Sequence, residues 1–259
     1  MNLGIQGRRA LVCAASSGLG QACALALAQE GADVAIVGRD AGRLEQAAAR
    51  IAQQTGAAVA PLVADLSDPA ACTALLARSG VPDILVTNCA GPQLAGLQEL
   101  APAHWAAALD ALFLGPLALI QGSLAAMAAR GFGRVVNISS AAVLAPRPGF
   151  ALSCAPRAAL MAFCALAARE MAAHNVTINQ LLPHAIETDR LAANWRAEAA
   201  ARQLDPAELR RQRTQDIPAA RTGTPAEFGA YCAFLCSTHA GYVTGRNHLL
   251  DGGALQRGF

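Results

Sequence analysis

Short, almost uninterrupted apolar runs recur along this chain, and each is followed by a longer stretch with helical spacing. The runs fall at residues 10–13, 34–37, 59–63, 84–87, 135–139, 176–182 and 248–250. Between them the spacing predicts helices at 20–30, from Asp40 to about 54, from Asp68-Pro69, from Pro102 to about 130, at 151–173 and at 225–236. Strands that are apolar on both faces need cover on both faces, which is the arrangement of a parallel sheet sandwiched by helices. Right-handed crossovers then make it a doubly wound, Rossmann-type α/β sheet, with ligands expected outside the carboxyl ends of the strands. No linker or repeat divides the sequence, so one domain is expected over 1–259. A lid-like, arginine-rich helical segment is expected at about 187–217, and a kink at Gly115-Pro116 in the long helix.

Composition narrows the possible partners. Hydrophobic residues make up 54% of the chain, above the roughly 45–50% of average globular domains, and much of the excess is alanine. Asp110, Pro116 and Gln121 interrupt the longest apolar stretch, so no run of the roughly 18 residues that span a bilayer is expected. The first nine residues lack the apolar core of a signal peptide, so a cytoplasmic protein is expected. A net charge of +2 gives no reason to expect a nucleic-acid partner, and Arg210, Arg211 and Arg213 read as a solvated helix face. Eight cysteines are scattered without a Cys-x-x-Cys pair, which points to a reducing compartment and to no metal site. All twenty basic residues are arginine. There is no lysine, and the two tyrosines, Tyr231 and Tyr242, both lie near the C-terminus and read as packing residues.

The turn after the first strand reads Ala14-Ala15-Ser16-Ser17-Gly18-Leu19-Gly20. Gly18 and Gly20 allow backbone to approach a pyrophosphate, whose charge is favoured by the N-terminus of the helix that follows. This is the pattern of a nicotinamide dinucleotide site. An NAD site usually ends its second strand on a carboxylate that holds the ribose 2′-hydroxyl. Here Gly38 leaves room and Arg39 offers a guanidinium suited to a 2′-phosphate, while Asp40 falls where a helix cap is needed. NADP is therefore expected in preference to NAD.

These residues, with several further motifs, resemble the short-chain dehydrogenase/reductase family over essentially the whole chain. Asp65-Leu66 is similar to the family's adenine contact, and Asn88-Cys89-Ala90-Gly91 to its Asn-Asn-Ala-Gly turn. Asn137-Ile138-Ser139-Ser140 resembles its serine motif, and Pro183-His184-Ala185-Ile186-Glu187-Thr188 its Pro-Gly segment with a cofactor-contacting threonine. Asp251-Gly252-Gly253 resembles its C-terminal signature. The resemblance implies that Ser16, Ser17, Leu19, Asn88, Ala90, Gly91, Ile138, Pro183, Ile186 and Thr188 line the cofactor. It also implies a tetramer or dimer of identical chains acting on a small-molecule substrate. Ala14 stands where the family has its first glycine.

At the catalytic centre the pattern departs. The family moves a hydride between nicotinamide and a carbonyl carbon, with tyrosine and lysine handling the proton, serine holding the oxygen and asparagine ordering a water. Ser140 matches the serine, but Tyr-x-x-x-Lys is replaced by Ser153-Cys154-Ala155-Pro156-Arg157 and the asparagine by Leu112. This variant resembles a subgroup close to 3-oxoacyl-carrier-protein reductases. Arg157 cannot relay a proton but can hold ribose hydroxyls. His184, in place of a glycine beside the expected nicotinamide, is the candidate acid, with an ordinary pKa of about 6.5. An atypical carbonyl reductase is the leading expectation. A non-catalytic NADP-binding sensor or partner subunit is the alternative, and an enzyme using the nucleotide structurally is a third.

Overall fold

The structure, a computed structural model, describes residues 1–255. Seven strands form one parallel sheet in the order β3-β2-β1-β4-β5-β6-β7. They are β1 (Arg9–Val12), β2 (Asp33–Gly38), β3 (Val59–Val63), β4 (Ile84–Thr87), β5 (Gly133–Ile138), β6 (Val176–Pro183) and β7 (Asn247–Leu250). The helices are α1 (Gly18–Gln29), α2 (Ala41–Thr55), α3 (Pro69–Ser79), α4 (Pro102–Leu109), α5 (Gly115–Ala129), α6 (Ala151–Met171), α7 (Asp189–Ala201), α8 (Pro206–Gln215) and α9 (Pro225–Cys236). Two cores result, one on each face of the sheet. One packs Cys23, Leu27, Leu44, Phe228 and Cys232 against Val12, Ile36 and Val86. The other packs Leu75, Ile120, Leu160 and Cys164 against Leu11, Leu85 and Ile178. The chain order reverses between β2-β1 and β1-β4, which opens a crevice at their carboxyl ends.

Helix boundaries follow local chemistry. Asp40 caps α2 by accepting from the Arg43 N–H at 3.0 Å, and Asp68 caps α3 through Ala70 at 2.8 Å. The expected single helix after Pro102 is in fact α4 and α5 joined by one wide π-turn, Asp110–Leu114. Pro116 lacks an N–H, and its ring would crowd the Leu112 carbonyl, so the chain widens one turn just ahead of it. Gly115 is required there, because a side chain would overlap the Leu66 carbonyl oxygen.

Two expectations change. The stretches Pro102–Ala129 and Ala151–His174 are, by length and composition, apolar enough to cross a bilayer. Both nevertheless pack on the sheet and supply core residues such as Ile120, Met127 and Leu160. Tyr242 packs against nothing and is fully exposed, whereas Tyr231 is half-buried with its hydroxyl 2.8 Å from His248 Nδ1.

At the amino end of the interior strand β5, Arg134 is 1% exposed and has no carboxylate partner among the described residues. Its Nε donates to the Ser237 carbonyl at 3.0 Å and its Nη1 to the Gly133 and Asn175 carbonyls at 2.9 Å. The guanidinium also stacks on Phe132, 4.3 Å from the ring centre. It thus ties β5 to the ends of α9 and α6. Arg134→Leu should cost about 3 kcal/mol, because several buried carbonyls lose a charged donor at once. A shift in the denaturant midpoint worth less than about 1 kcal/mol would contradict this role.

Candidate functional site

The crevice between β1 and β4 collects most of the expected residues. Gly20 lies so close to the preceding turn that a Cβ would come within 2.5 Å of the Ala14 carbonyl oxygen. Ala14 itself adopts φ +47°, the left-handed conformation that costs a non-glycine residue roughly 1–2 kcal/mol. Here the alanine tolerates what the family's glycine does freely. Gly18 is also left-handed, at φ +60°, and a Cβ on it would sit 3.7 Å from Thr188 Cγ2. The turn and the start of the lid therefore face each other.

Helix α1 differs from its neighbours at its first turn. Ser17 occupies the N-cap position but its side chain makes no capping bond, and the turn carries no acidic residue. Helices α2, α3, α8 and α9 are all capped by side chains. Uncapped N–H groups at a helix N-terminus, beside a turn stripped of side chains, fit a pyrophosphate. Asp40 is occupied as the cap of α2, so it does not replace Arg39 as the polar group at the end of β2. Asp65 accepts from the Ser67 hydroxyl at 2.7 Å and from its N–H at 3.0 Å. Those bonds, with a contribution from Arg39, hold its carboxyl below the usual range.

The substituted catalytic positions also converge. Ser140 caps a short turn by accepting from the Ala142 N–H at 3.2 Å, and the Cys154 thiol donates to the Ala142 carbonyl at 3.2 Å. That bond docks the start of α6, which carries Ser153, against the turn that follows Ser140. Arg157 Nη1 donates to Ser153 Oγ at 3.0 Å. The Arg157 side chain then turns inward to a small cavity shared with Asn88, Cys89, Leu112, Pro116 and Ile138. Arg157 is 8% exposed, and no carboxylate pairs with it among the described residues. Burial draws its pKa down to about 10, which still leaves it charged at neutral pH.

His184 follows β6, where its backbone N–H donates to the Leu250 carbonyl at 3.0 Å. Its Nδ1 is buried without a partner. Burial, with Arg147 nearby, pulls its pKa below the ordinary value. Its ready form at neutral pH is thus the neutral imidazole, which modifies the expectation of a standing acid.

Some contributors were not visible in the sequence. Arg190 on α7 donates to the Gly91 and Pro92 carbonyls at 3.0 and 2.8 Å, pinning the lid to the loop after β4. Arg43 reaches back to Ser17 Oγ at 3.3 Å. Both bonds join residues far apart in the chain, and arginine alone gives no sign of its partner. The lid helices α7 and α8 are held by ion pairs of Arg213 and Arg202 with Glu198, of Arg210 with Glu187 and of Arg211 with Glu208. The lid arginines therefore have carboxylates of their own, in ion pairs on a face where Arg210 and Arg211 remain exposed, as a solvated helix face expects. Ile186 is buried and bridges to Gly223, which seats the lid's first strand-like residues.

Comparison with known proteins agrees with this geometry. The family model described as enoyl-(acyl carrier protein) reductase matches residues 13–254. The human dehydrogenase/reductase SDR family member 4 is 31% identical over 254 residues, covering 96% of this chain and 87% of that protein. The structure of L-sorbose reductase from Gluconobacter frateurii, complexed with NADPH and L-sorbose, superposes with a TM-score of 0.93 at 28% identity, covering 99% of this chain and 100% of that one. A 3-oxoacyl (acyl-carrier-protein) reductase from Agrobacterium tumefaciens with NADP bound gives 0.88 at 34% identity, covering 97% and 96%. With the glycine turn, the parallel sheet and the serine motif all in their places, the chain belongs to the short-chain dehydrogenase/reductase family.

Proposed function

We propose that this chain is an NADP-dependent oxidoreductase of carbonyl and alcohol substrates whose proton handling is rebuilt around Ser153, Arg157 and His184. The observation that carries this reading is the Arg157–Ser153 bond. It stands where tyrosine and lysine belong in the family, at the floor of a crevice whose glycine turn and uncapped α1 fit a dinucleotide. NADP rather than NAD follows from Arg39 and from the use of Asp40 as a cap, and both solved relatives described above hold the phosphorylated cofactor.

When bound, the cofactor supplies or accepts the hydride. The chain's own residues do the rest. Asp65 and Leu66 border the adenine. Asn88, Ala90, Gly91 and Ile138 line the middle of the crevice, with Pro183, Ile186 and Thr188 opposite. Arg157 takes over the ribose hydroxyls from lysine, since one N–H holds Ser153 and the rest of its fork has no protein partner among the described residues. Because Ser153 Oγ accepts from Arg157, its own proton is free to be donated outward, and with Ser140 it can hold a carbonyl oxygen. Serine is too weak an acid to complete the transfer, so His184 gives the proton in reduction and accepts it in oxidation. A 3-oxoacyl thioester is one candidate substrate.

The assembly we propose is a homo-oligomer, a tetramer or dimer, that covers the exposed Leu109, Leu114 and Leu166 on the α4–α6 side. Eight free cysteines, seven of them buried, suit a reducing cytoplasm. A second reading, an NADP-binding partner subunit without turnover, is favoured by the loss of tyrosine, lysine and asparagine together. A screen of NADPH with ketones, 3-oxoacyl thioesters and quinones separates the two: binding without oxidation of NADPH supports the partner subunit.

Three outcomes are expected of the enzyme. Arg39→Ala should weaken NADPH by roughly 1–3 kcal/mol, the worth of a charge-assisted hydrogen bond, and leave NADH nearly unchanged; equal losses in a titration would contradict it. Arg157→Ala should weaken both cofactors and Arg157→Lys should recover part of the loss, whereas an unchanged affinity for the alanine variant would place that side chain in a purely structural role. His184→Gly should lower turnover by roughly 10²–10⁴. In the wild type the reductive rate should fall, and the oxidative rate rise, as pH increases through a pKa below the ordinary histidine value. A pH profile identical in wild type and His184→Gly would remove the histidine from the chemistry.

A further inference from the structure

The loop between Ser140 and α6 carries an exposed arginine that the mechanism does not use. The Arg147 guanidinium lies 5.0 Å from the centre of the Phe150 ring, and among the described residues it has no carboxylate or hydrogen-bond partner. The stacked ring orders the guanidinium without occupying its N–H groups. The loop itself is tied down. The Arg147 carbonyl accepts from the Phe150 N–H at 3.1 Å, and the Phe150 carbonyl accepts from the N–H groups of Ser153 and Cys154 at 2.9 and 2.8 Å. On the outer side the Gly149 carbonyl accepts from the Ala95 N–H at 3.3 Å. Arg147 is therefore positioned by the same turn that starts α6 and positions Ser153.

Its charge reaches both sides of the crevice. It acts on Cys154, beside Ser153, and on His184 at the end of β6. Because β5 and β6 are neighbours, Ser140 and Ser153 stand on one side of a gap and His184 on the other, with Arg147 at its mouth. Little on the protein offsets this charge. Cys154 feels two guanidiniums, Arg157 and Arg147, and no carboxylate. Asp251, the carboxylate that acts on His184, is held by the Gly253 and Leu255 N–H groups at 2.9 and 2.8 Å. Arg190 is occupied by the Gly91 and Pro92 carbonyls, and Arg157 turns inward to its cavity. A cleft lined by one sign of charge draws the opposite sign, and Arg147 is the cation at this mouth whose fork is open to receive it.

We propose that Arg147 anchors a carboxylate on the substrate, so that the preferred carbonyl compounds are oxo acids. This rests on the reading of the chain as a carbonyl reductase working through Ser140 and Ser153. The guanidinium takes the carboxylate through paired N–H bonds, which presents the carbonyl to the two serines. The carbonyl carbon then receives the hydride and its oxygen the proton, giving the hydroxy acid as the cofactor is oxidised. The test compares pyruvate and levulinate with their methyl esters, which keep the carbonyl and lose the charge, in wild type, Arg147→Gln and Arg147→Lys. In wild type kcat/KM should favour the acids by about ten- to hundredfold, the worth of a charge-assisted hydrogen bond. That preference should fall to about threefold or less in Arg147→Gln and return in part in Arg147→Lys, with the melting temperature unchanged. A wild type without preference, or a preference that survives Arg147→Gln, would overturn the proposal while turnover of the esters keeps the reductase. If no carbonyl is turned over, calorimetry of levulinate and its methyl ester on the NADPH-loaded chain decides. Levulinate binding that Arg147→Gln abolishes keeps the anion site and removes the reductase; equal or absent binding of the two removes the site.

Discussion

Parallel strands cannot be joined by tight turns, and every crossover in this chain must carry a helix across one face of the sheet. That constraint buries both faces and leaves the carboxyl ends of the strands as the place where loops can converge. With β1 lying between β2 and β4, the loops on its two sides diverge and a crevice opens. Every functional feature described above hangs from this edge. The glycine turn follows β1, Arg39 and Arg43 follow β2, and Asp65 follows β3. Asn88–Gly91 follow β4, Ser140 follows β5 and His184 follows β6. The close approach of Gly20 to the Ala14 carbonyl sets α1 tight against the strand and leaves its uncapped N–H groups facing outward.

The centre of the site holds a guanidinium that the protein alone does not neutralise. Arg157 is enclosed by Leu112, Pro116 and Ile138, and burial lowers its pKa to about 10. Burying a cation in this way is costly unless its hydrogen-bonding capacity is met, and Ser153 meets only part of it. Ribose hydroxyls would meet more. A tyrosine–lysine pair needs a titratable partner and an ordered water, and here Leu112 and Pro116 occupy the wall from which the family's asparagine would reach. In the mechanism we propose, Ser140, Ser153 and the His184 imidazole take the place of the phenol.

The parallel sheet and the cofactor edge were legible in the sequence because each rests on local signals: apolar runs, Asp40 and Asp68 as caps, Gly18 and Gly20 in the turn. What the sequence hid depends on long-range partners. Arg134 bonds to Ser237, Arg190 to Gly91 and Arg43 to Ser17, and nothing near those arginines indicates it. The π-turn before Gly115 was half legible, since Pro116 signals a break but not the direction in which the helix yields. The reading of His184 as a ready acid changed because its burial and the position of Arg147 belong to the folded chain. The ion pairs of Arg210 with Glu187 and of Arg213 with Glu198 were hidden for the same reason, since those carboxylates lie 23 and 15 residues away in the chain.

The most direct test is a crystal structure of the complex with NADPH. The expected result is the pyrophosphate on the N-terminus of α1, with the Arg157 guanidinium about 3 Å from the nicotinamide ribose hydroxyls and Ser153 Oγ still bonded to it. A cofactor bound away from the Ala14–Gly20 turn, or a ribose that leaves Arg157 without contact, would contradict it.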